Sequence, residues 1–170
     1  YFKTISSPSD ELVDNKNIEL RPMSAGEPIE LDGGVRITPH LVPHRDEHSE
    51  TACFQADGPT GSLLWMPDID SWEELSPGIE NLLAGVDRAF LDGTFFGPGE
   101  LPGRDMSAIS HPLILDSIER FSNLGAEVRR KVSFIHLNHT NPAIQPGSEE
   151  FQAIEQAGCS VARQGDRIEL

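Results

Sequence analysis

Four residues able to bind a cation or move a proton stand just beyond short apolar stretches. His44 follows residues 35–43, Asp68 follows LLWMP, Asp92 follows AFL, and His139 follows FIHLN. In an open α/β sheet, ligands bind at the carboxyl ends of the strands. One acid or imidazole in such a place is ordinary; four predict a single convergent site of His and Asp side chains. That donor set suits zinc, manganese or iron. Imidazole offers a neutral nitrogen, and a carboxylate has two oxygens with which it can bridge two ions. A bound ion brings the pKa of its water down towards ~7.

Other candidates have plainer readings. His40 alternates with its neighbours along a strand and reads as structural. His48 lies in the polar run HRDEHSE and reads as surface. His136, three residues before His139, reads as a packed or supporting histidine. Asp70 reads as a turn or helix-start residue, and His111, just before Pro112, has an ordinary capping role as its alternative. Trp65, Trp72 and most phenylalanines read as core. Arg104, in the loop GPGELPGRDMS, either pairs with an acid such as Asp105 or binds an anionic substrate.

The elements that must carry these residues follow from patterning. Residues 17–21, 35–42, 51–56, 62–66, 89–91, 131–137, 159–163 and 167–170 read as strands. Gly33-Gly34 reads as a hairpin turn, and GPTG as a second turn. Helical spacing begins at Ser71 and is broken by Pro77-Gly78. A second stripe runs through Leu113, Ile114, Ile118, Phe121 and Leu124. A third helix starts at Ser148 and ends at Gly158. The stretch GTFFGPGELPGRDMS is too irregular for a regular element, and a loop of that length in a compact domain is often functional. Strands first, then strand–helix–strand–helix–strand, predicts an α/β or α+β chain with a mixed sheet covered by helices.

Composition narrows the class. The 170 residues suit one domain, 1–170. The formal charge of −15 (13 basic against 28 acidic side chains) argues against a phosphate-backbone binder. No apolar run approaches the roughly 20 residues that cross a bilayer, and no basic-then-apolar leader opens the sequence. Cys53 and Cys159 make no disulfide framework. The expectation is a cytoplasmic protein binding neither nucleic acid nor membrane. The sequence opens at Tyr1, which points to a fragment or a processed chain.

Five motifs in order, VPHRDEHSETACF, LLWMPDIDSW, AFLDGTFF, ELPGRDMSAISHP and FIHLNHTNP, resemble the second half of metallo-β-lactamase-fold proteins of the PqqB type. These are the proteins of coenzyme PQQ synthesis. The resemblance covers roughly residues 17–170. It implies half of a four-layer αββα sandwich with a metal site at one sheet edge. By resemblance, His44 is the third histidine of the first metal site, Asp68 the carboxylate bridging two metals, and His139 a ligand of the second. Asp92 stands where related phosphodiesterases carry a supporting acid. His111 resembles the histidine that assists at the scissile phosphate in ribonuclease Z-like relatives.

The family's HxHxDH-type motif, which belongs to the N-terminal half of the fold, is absent from this sequence. The chain is therefore expected to be a fragment, one partner of a pair, or a degenerate domain. The implied activity is that of a metal-dependent hydrolase or oxygenase in pyrroloquinoline quinone biosynthesis, using one or two divalent ions in the intact protein. Zinc comes first, with iron for the oxidative version and manganese compatible. The substrate would be a small or peptide-derived molecule, a tyrosine-derived precursor in the oxidative version. The alternatives are a non-catalytic carrier of PQQ or its precursor, and a ribonuclease Z-like phosphodiesterase. The strand face that packs on the missing half should be apolar, which predicts poor solubility, a homo-oligomer, or pairing with that N-terminal half.

Overall fold

The computed structural model describes residues 8–45 and 50–170; His48 lies outside the described residues. Seven strands form one sheet: β1 (Ile29–Leu31), β2 (Val35–Leu41), β3 (Ala52–Asp57), β4 (Ser62–Met66), β5 (Arg88–Asp92), β6 (Val132–Ile135) and β7 (Ser160–Val161). Their spatial order is their sequence order. The strands from β1 to β4 pair antiparallel, and those from β4 to β7 pair parallel. Antiparallel neighbours need only turns, whereas each parallel step needs a crossover. The crossovers carry α2 (Ile79–Ala84), then α3 (Ile114–Phe121) with α4 (Ala126–Arg129), then α5 (Glu149–Gln156); α1 (Pro8–Asp14) precedes the sheet. Because β2 and β4 run alike, the carboxyl ends of β2, β4, β5 and β6 share one edge. That is the edge where the candidate residues were expected.

The two sheet faces differ. Leu64 and Met66 of β4, Ala89 and Leu91 of β5, and Val132 and Phe134 of β6 are buried in one core with Ile79 and Leu83 of α2, Ile114 and Phe121 of α3, and Ile154 of α5. The helices thus cover one face. On the other, Phe54, Trp65 and Phe90 lie in a row across three strands, Phe54 opposite Trp65 and Trp65 opposite Phe90. The Trp65 and Phe90 rings are 5.5 Å apart. Trp65 is 45% exposed, Phe54 38% and Leu41 52%. The apolar uncovered face expected from the sequence is present among the described residues. We predict that the chain alone self-associates through it, and that Trp65→Lys with Phe54→Lys shifts the population to monomer. Light scattering across the micromolar range reads this; a wild-type monomer throughout contradicts it.

The strands 35–42, 51–56, 62–66 and 89–91 appear with ends moved by one residue or less at most positions. Gly33 and Gly34 turn β1 into β2 with φ of +81° and +78°, a conformation that glycine adopts without steric cost. Ser148 caps α5 by accepting from Phe151 N at 3.0 Å, and Gly158 (φ +85°) follows its end.

Other expectations fail. Residues 17–21 are not a strand; the first strand is Ile29–Leu31, inside a stretch read as turns. The helix expected from Ser71 begins only at Ile79, because the Ser71 hydroxyl engages the nearby Glu73 N–H at 3.1 Å and holds a turn. Residues 167–170 are not a strand either. They lie across the β3–β4 turn, so close that a Cβ on Gly58 would clash with the Leu170 backbone. No helix of the described residues is long and apolar enough to cross a membrane.

Candidate metal centre

His44, Asp68 and Asp92 come at or just beyond the ends of strands, and His111 stands just before α3. β4 stops at Pro67, which cannot donate to a ladder, and Asp68 follows. β5 ends in Asp92, and the turn Asp92-Gly93-Thr94 follows without a spare atom. A Cβ on Gly93 would lie 2.8 Å from Phe134 Cβ and 3.0 Å from Ile135 O. Gly93 N–H donates to Ile135 O at 2.9 Å. Gly93→Ala is therefore expected to cost about 1–3 kcal/mol by overpacking, read by urea unfolding. Unchanged stability would show that the turn has slack.

Asp92 is fully buried. Its Oδ1 accepts from Thr94 N (2.8 Å) and Thr94 Oγ1 (2.7 Å), and its Oδ2 from Ile69 N (3.1 Å) and His111 Nδ1 (2.8 Å). Four donors saturate this carboxylate. It holds its neighbours in place and does not face a substrate. His111 is largely buried, with Nδ1 also 3.6 Å from Asp68 Oδ1. It does not cap α3, whose cap position is Leu113. With Nδ1–H given to Asp92, its Nε2 is left for other work.

The pKa of His111 is raised, first by the hydrogen bond to Asp92 and then by the charges of Asp92, Asp68 and Asp70, against the opposing effect of burial. A raised imidazole pKa gives stability that is fully present below the ordinary ~6.5 and is lost as pH rises through the folded value. In the metal-free chain, the His111 ring protons should titrate above ~6.5. Asp68→Asn should lower that midpoint slightly, since Asp68 is the lesser cause. A midpoint at or below the ordinary value contradicts this arrangement.

The metal-capable side chains that converge among the described residues are Asp68, Asp92 and His111, with one ligand atom of each within 4.8 Å of the others. His44 joins them at the end of β2, its Nε2 3.3 Å from Asp68 Oδ1 and 3.9 Å from Asp70 Oδ1. His139 lies outside this group. It is exposed on the loop beyond β6, with Nδ1 3.1 Å from Asn138 Oδ1. His136, read from sequence as packed or supporting, comes nearer. Its Nδ1 is 3.0 Å from Thr94 Oγ1, and its ring is 6.2 Å from that of His111. Thr94 Oγ1 donates to Asp92, so it accepts from His136 Nδ1–H, which leaves His136 Nε2 with a free lone pair. His136 has φ +62°, uncommon for a residue with a side chain. Asp70, assigned to a turn, also borders the site. His40 sits on β2 with its Nε2 buried and unpaired, and Arg104 is exposed on its loop.

The donor chemistry suits a cation. Asp68 Oδ1 and Asp70 Oδ1 are buried without a hydrogen-bond donor, beside an imidazole nitrogen, in a strongly acidic chain. Orphaned buried carboxylate oxygens are costly unless something positive meets them. Nitrogen and oxygen donors at this spacing fit a divalent ion of the zinc type.

A model of the beta-lactamase superfamily domain matches residues 4–137. The chain belongs to that family. Within the beta-lactamase superfamily, its curated relatives include coenzyme PQQ synthesis protein B of Gluconacetobacter diazotrophicus, 30% identical over 189 residues that cover 96% of this chain and 60% of that protein. The same protein of Bradyrhizobium diazoefficiens is 27% identical over 186 residues, covering 94% and 59%. The crystal structure of zinc-bound PqqB from Methylobacterium extorquens superposes with a TM-score of 0.70 at 19% identity, covering 87% of this chain and 55% of that one. The chain thus spans about 60% of the length of the curated relatives it matches. The mixed sheet and the superfamily membership expected from the sequence both hold.

Proposed function

We propose that this chain carries part of the metal centre of a PqqB-like enzyme acting in PQQ synthesis, as a metal-dependent hydrolase or oxygenase. The observation that carries the reading is His44 Nε2 beside the donor-less Oδ1 atoms of Asp68 and Asp70, next to the Asp92–His111 pair at one carboxyl edge of the sheet. Similarity to the PqqB relatives supports the pathway, and the zinc in the related crystal structure supports the ion. Asp68 and His44, 3.3 Å apart, would hold the ion with Asp70 beside them, and His139 is the more distant candidate. A bound divalent ion would supply Lewis acidity to a substrate or water oxygen.

The chain's own residues supply the proton chemistry. Asp92 keeps the His111 ring in one tautomer and orientation. Protonated His111 can pass its Nε2 proton to a leaving oxygen while Nδ1–H stays on Asp92, the role of a general acid. Its raised pKa keeps that proton available to higher pH than an ordinary histidine would. Thr94, between Asp92 and His136, ties both to the same turn. One resident ion or two, cytoplasmic residence, and a small or peptide-derived substrate remain part of this proposal.

Metal analysis with turnover assays tests it. Zinc uptake with hydrolysis supports the hydrolytic version, and phosphodiester cleavage would make it ribonuclease Z-like. Stoichiometric iron with oxygen-dependent turnover of a tyrosine-derived precursor supports the oxidative one. Binding of PQQ or its precursor without turnover supports a carrier instead. A chain that takes up no metal and none of these ligands overturns the reading.

A further inference from the structure

Segment 68–72 touches every strand end that delivers a site residue from the left and centre of the sheet. Asp70 N–H donates to Pro43 O (2.9 Å), the residue before His44. Ile69 N–H donates to Asp92 Oδ2 (3.1 Å). Trp72 Nε1–H donates to Ser117 Oγ (2.9 Å), and Ser117 Oγ donates in turn to Leu113 O (3.0 Å). Leu113 is two residues beyond His111. Three hydrogen bonds thus register one short loop against the His44, Asp92 and His111 segments. The third is the most shielded: Ser117 is fully buried and Trp72 is 3% exposed, against Phe121 at 6.2 Å between rings. A core needs no polar pair here. A buried hydroxyl and indole N–H are costly unless matched, and a matched pair specifies one arrangement.

We propose that Trp72 and Ser117 are a positioning pair, which sets the distance between Asp68 and His111 by pinning the loop after β4 to the first turn of α3. This rests on the metal-centre reading for its purpose, though not for its test. Without the pair, apolar packing of Trp72 would still hold the loop near α3. It would not fix the loop's rotation, and Asp68 is only four residues from Trp72. The backbone bonds of Ile69 and Asp70 would then open more often.

Amide hydrogen exchange on the metal-free chain decides this. Ser117→Ala should speed exchange at Ile69 and Asp70 by about 10-fold, as expected where one buried hydrogen bond is lost. The Ala89 amide, which donates to Lys131 O (2.8 Å) at the start of β5, should be unchanged. The double variant Trp72→Phe/Ser117→Ala removes the orphaned indole N–H. It should recover stability relative to the single variant while Ile69 and Asp70 still exchange fast. A purely structural pair would recover both together. Equal acceleration at Ile69, Asp70 and Ala89, or none at any of them, overturns the proposal. Zinc titration of the same proteins separates the two ideas. If the wild-type chain takes up no zinc, the metal-centre reading falls, and the exchange result still stands or fails alone. If it does bind, the double variant should stay weaker by about 10-fold, in the range that loss of an outer partner costs.

Discussion

Asp92→Ala should destabilise the chain by about 3–5 kcal/mol, the range for removing one partner of a buried, hydrogen-bonded ionic pair. The reason is local and countable. The substitution leaves the N–H groups of Ile69 and Thr94 and the Thr94 hydroxyl without their acceptor in a site with no access for water. Each such orphan costs about 1–3 kcal/mol. It also frees His111, whose pKa should fall because its largest raising cause is gone. Urea unfolding reads the first effect and an NMR titration at a temperature where the variant is folded reads the second. A variant within about 1 kcal/mol of wild type would mean that the carboxylate is solvated and the described network does not hold in solution.

Asp68→Ala should behave in the opposite way. Asp68 is about one-third exposed, and its Oδ1 has no hydrogen-bond donor. Its removal relieves repulsion within an acidic group and gives up a small attraction to His111, so the metal-free chain should be about as stable as wild type. Zinc affinity, however, should fall by more than the about 10–100-fold that outer partners cost. Isothermal titration with zinc and a thermal melt of the same sample measure both quantities. Unchanged zinc affinity would remove Asp68 from the centre and, with it, the main support for a metal site on this chain.

The edge that carries the site was legible because the strands β4 and β5 end in unmistakable fashion. LLWM is stopped by a proline, and AFL runs straight into Asp92. The same logic failed at β6. The pattern KVSFIHL reads as an unbroken strand through residue 137, which would carry His139 to the rim. The strand ends at Ile135, and the backbone turns at His136 into the left-handed region. His136 is thereby brought to Thr94 and His139 carried past. No periodicity announces that bend.

The role of segment 68–72 was hidden for another reason. Ser71, Glu73 and Glu74 resemble a helix start, and only tertiary contact reveals that Trp72 is held by Ser117 while Ser71 closes a small turn. NIELR at 17–21 alternates as a strand should, yet it pairs with none of the seven strands of the sheet. Pairing, more than alternation, makes a strand. The apolar outer face was inferred from the absence of the HxHxDH motif. It is present as the row Phe54, Trp65, Phe90, which no helix among the described residues covers.

One backbone angle carries a cost that the chain accepts. A histidine at φ +62° is held at roughly 1–2 kcal/mol above its relaxed state, and glycine would stand there without that penalty. His136 is exposed, and what it gains there is the hydrogen bond of its Nδ1–H to Thr94 Oγ1 at 3.0 Å. His136→Gly removes that strain and that bond together, so urea unfolding should find its stability within about 1 kcal/mol of wild type while the Thr94 hydroxyl loses a neighbour.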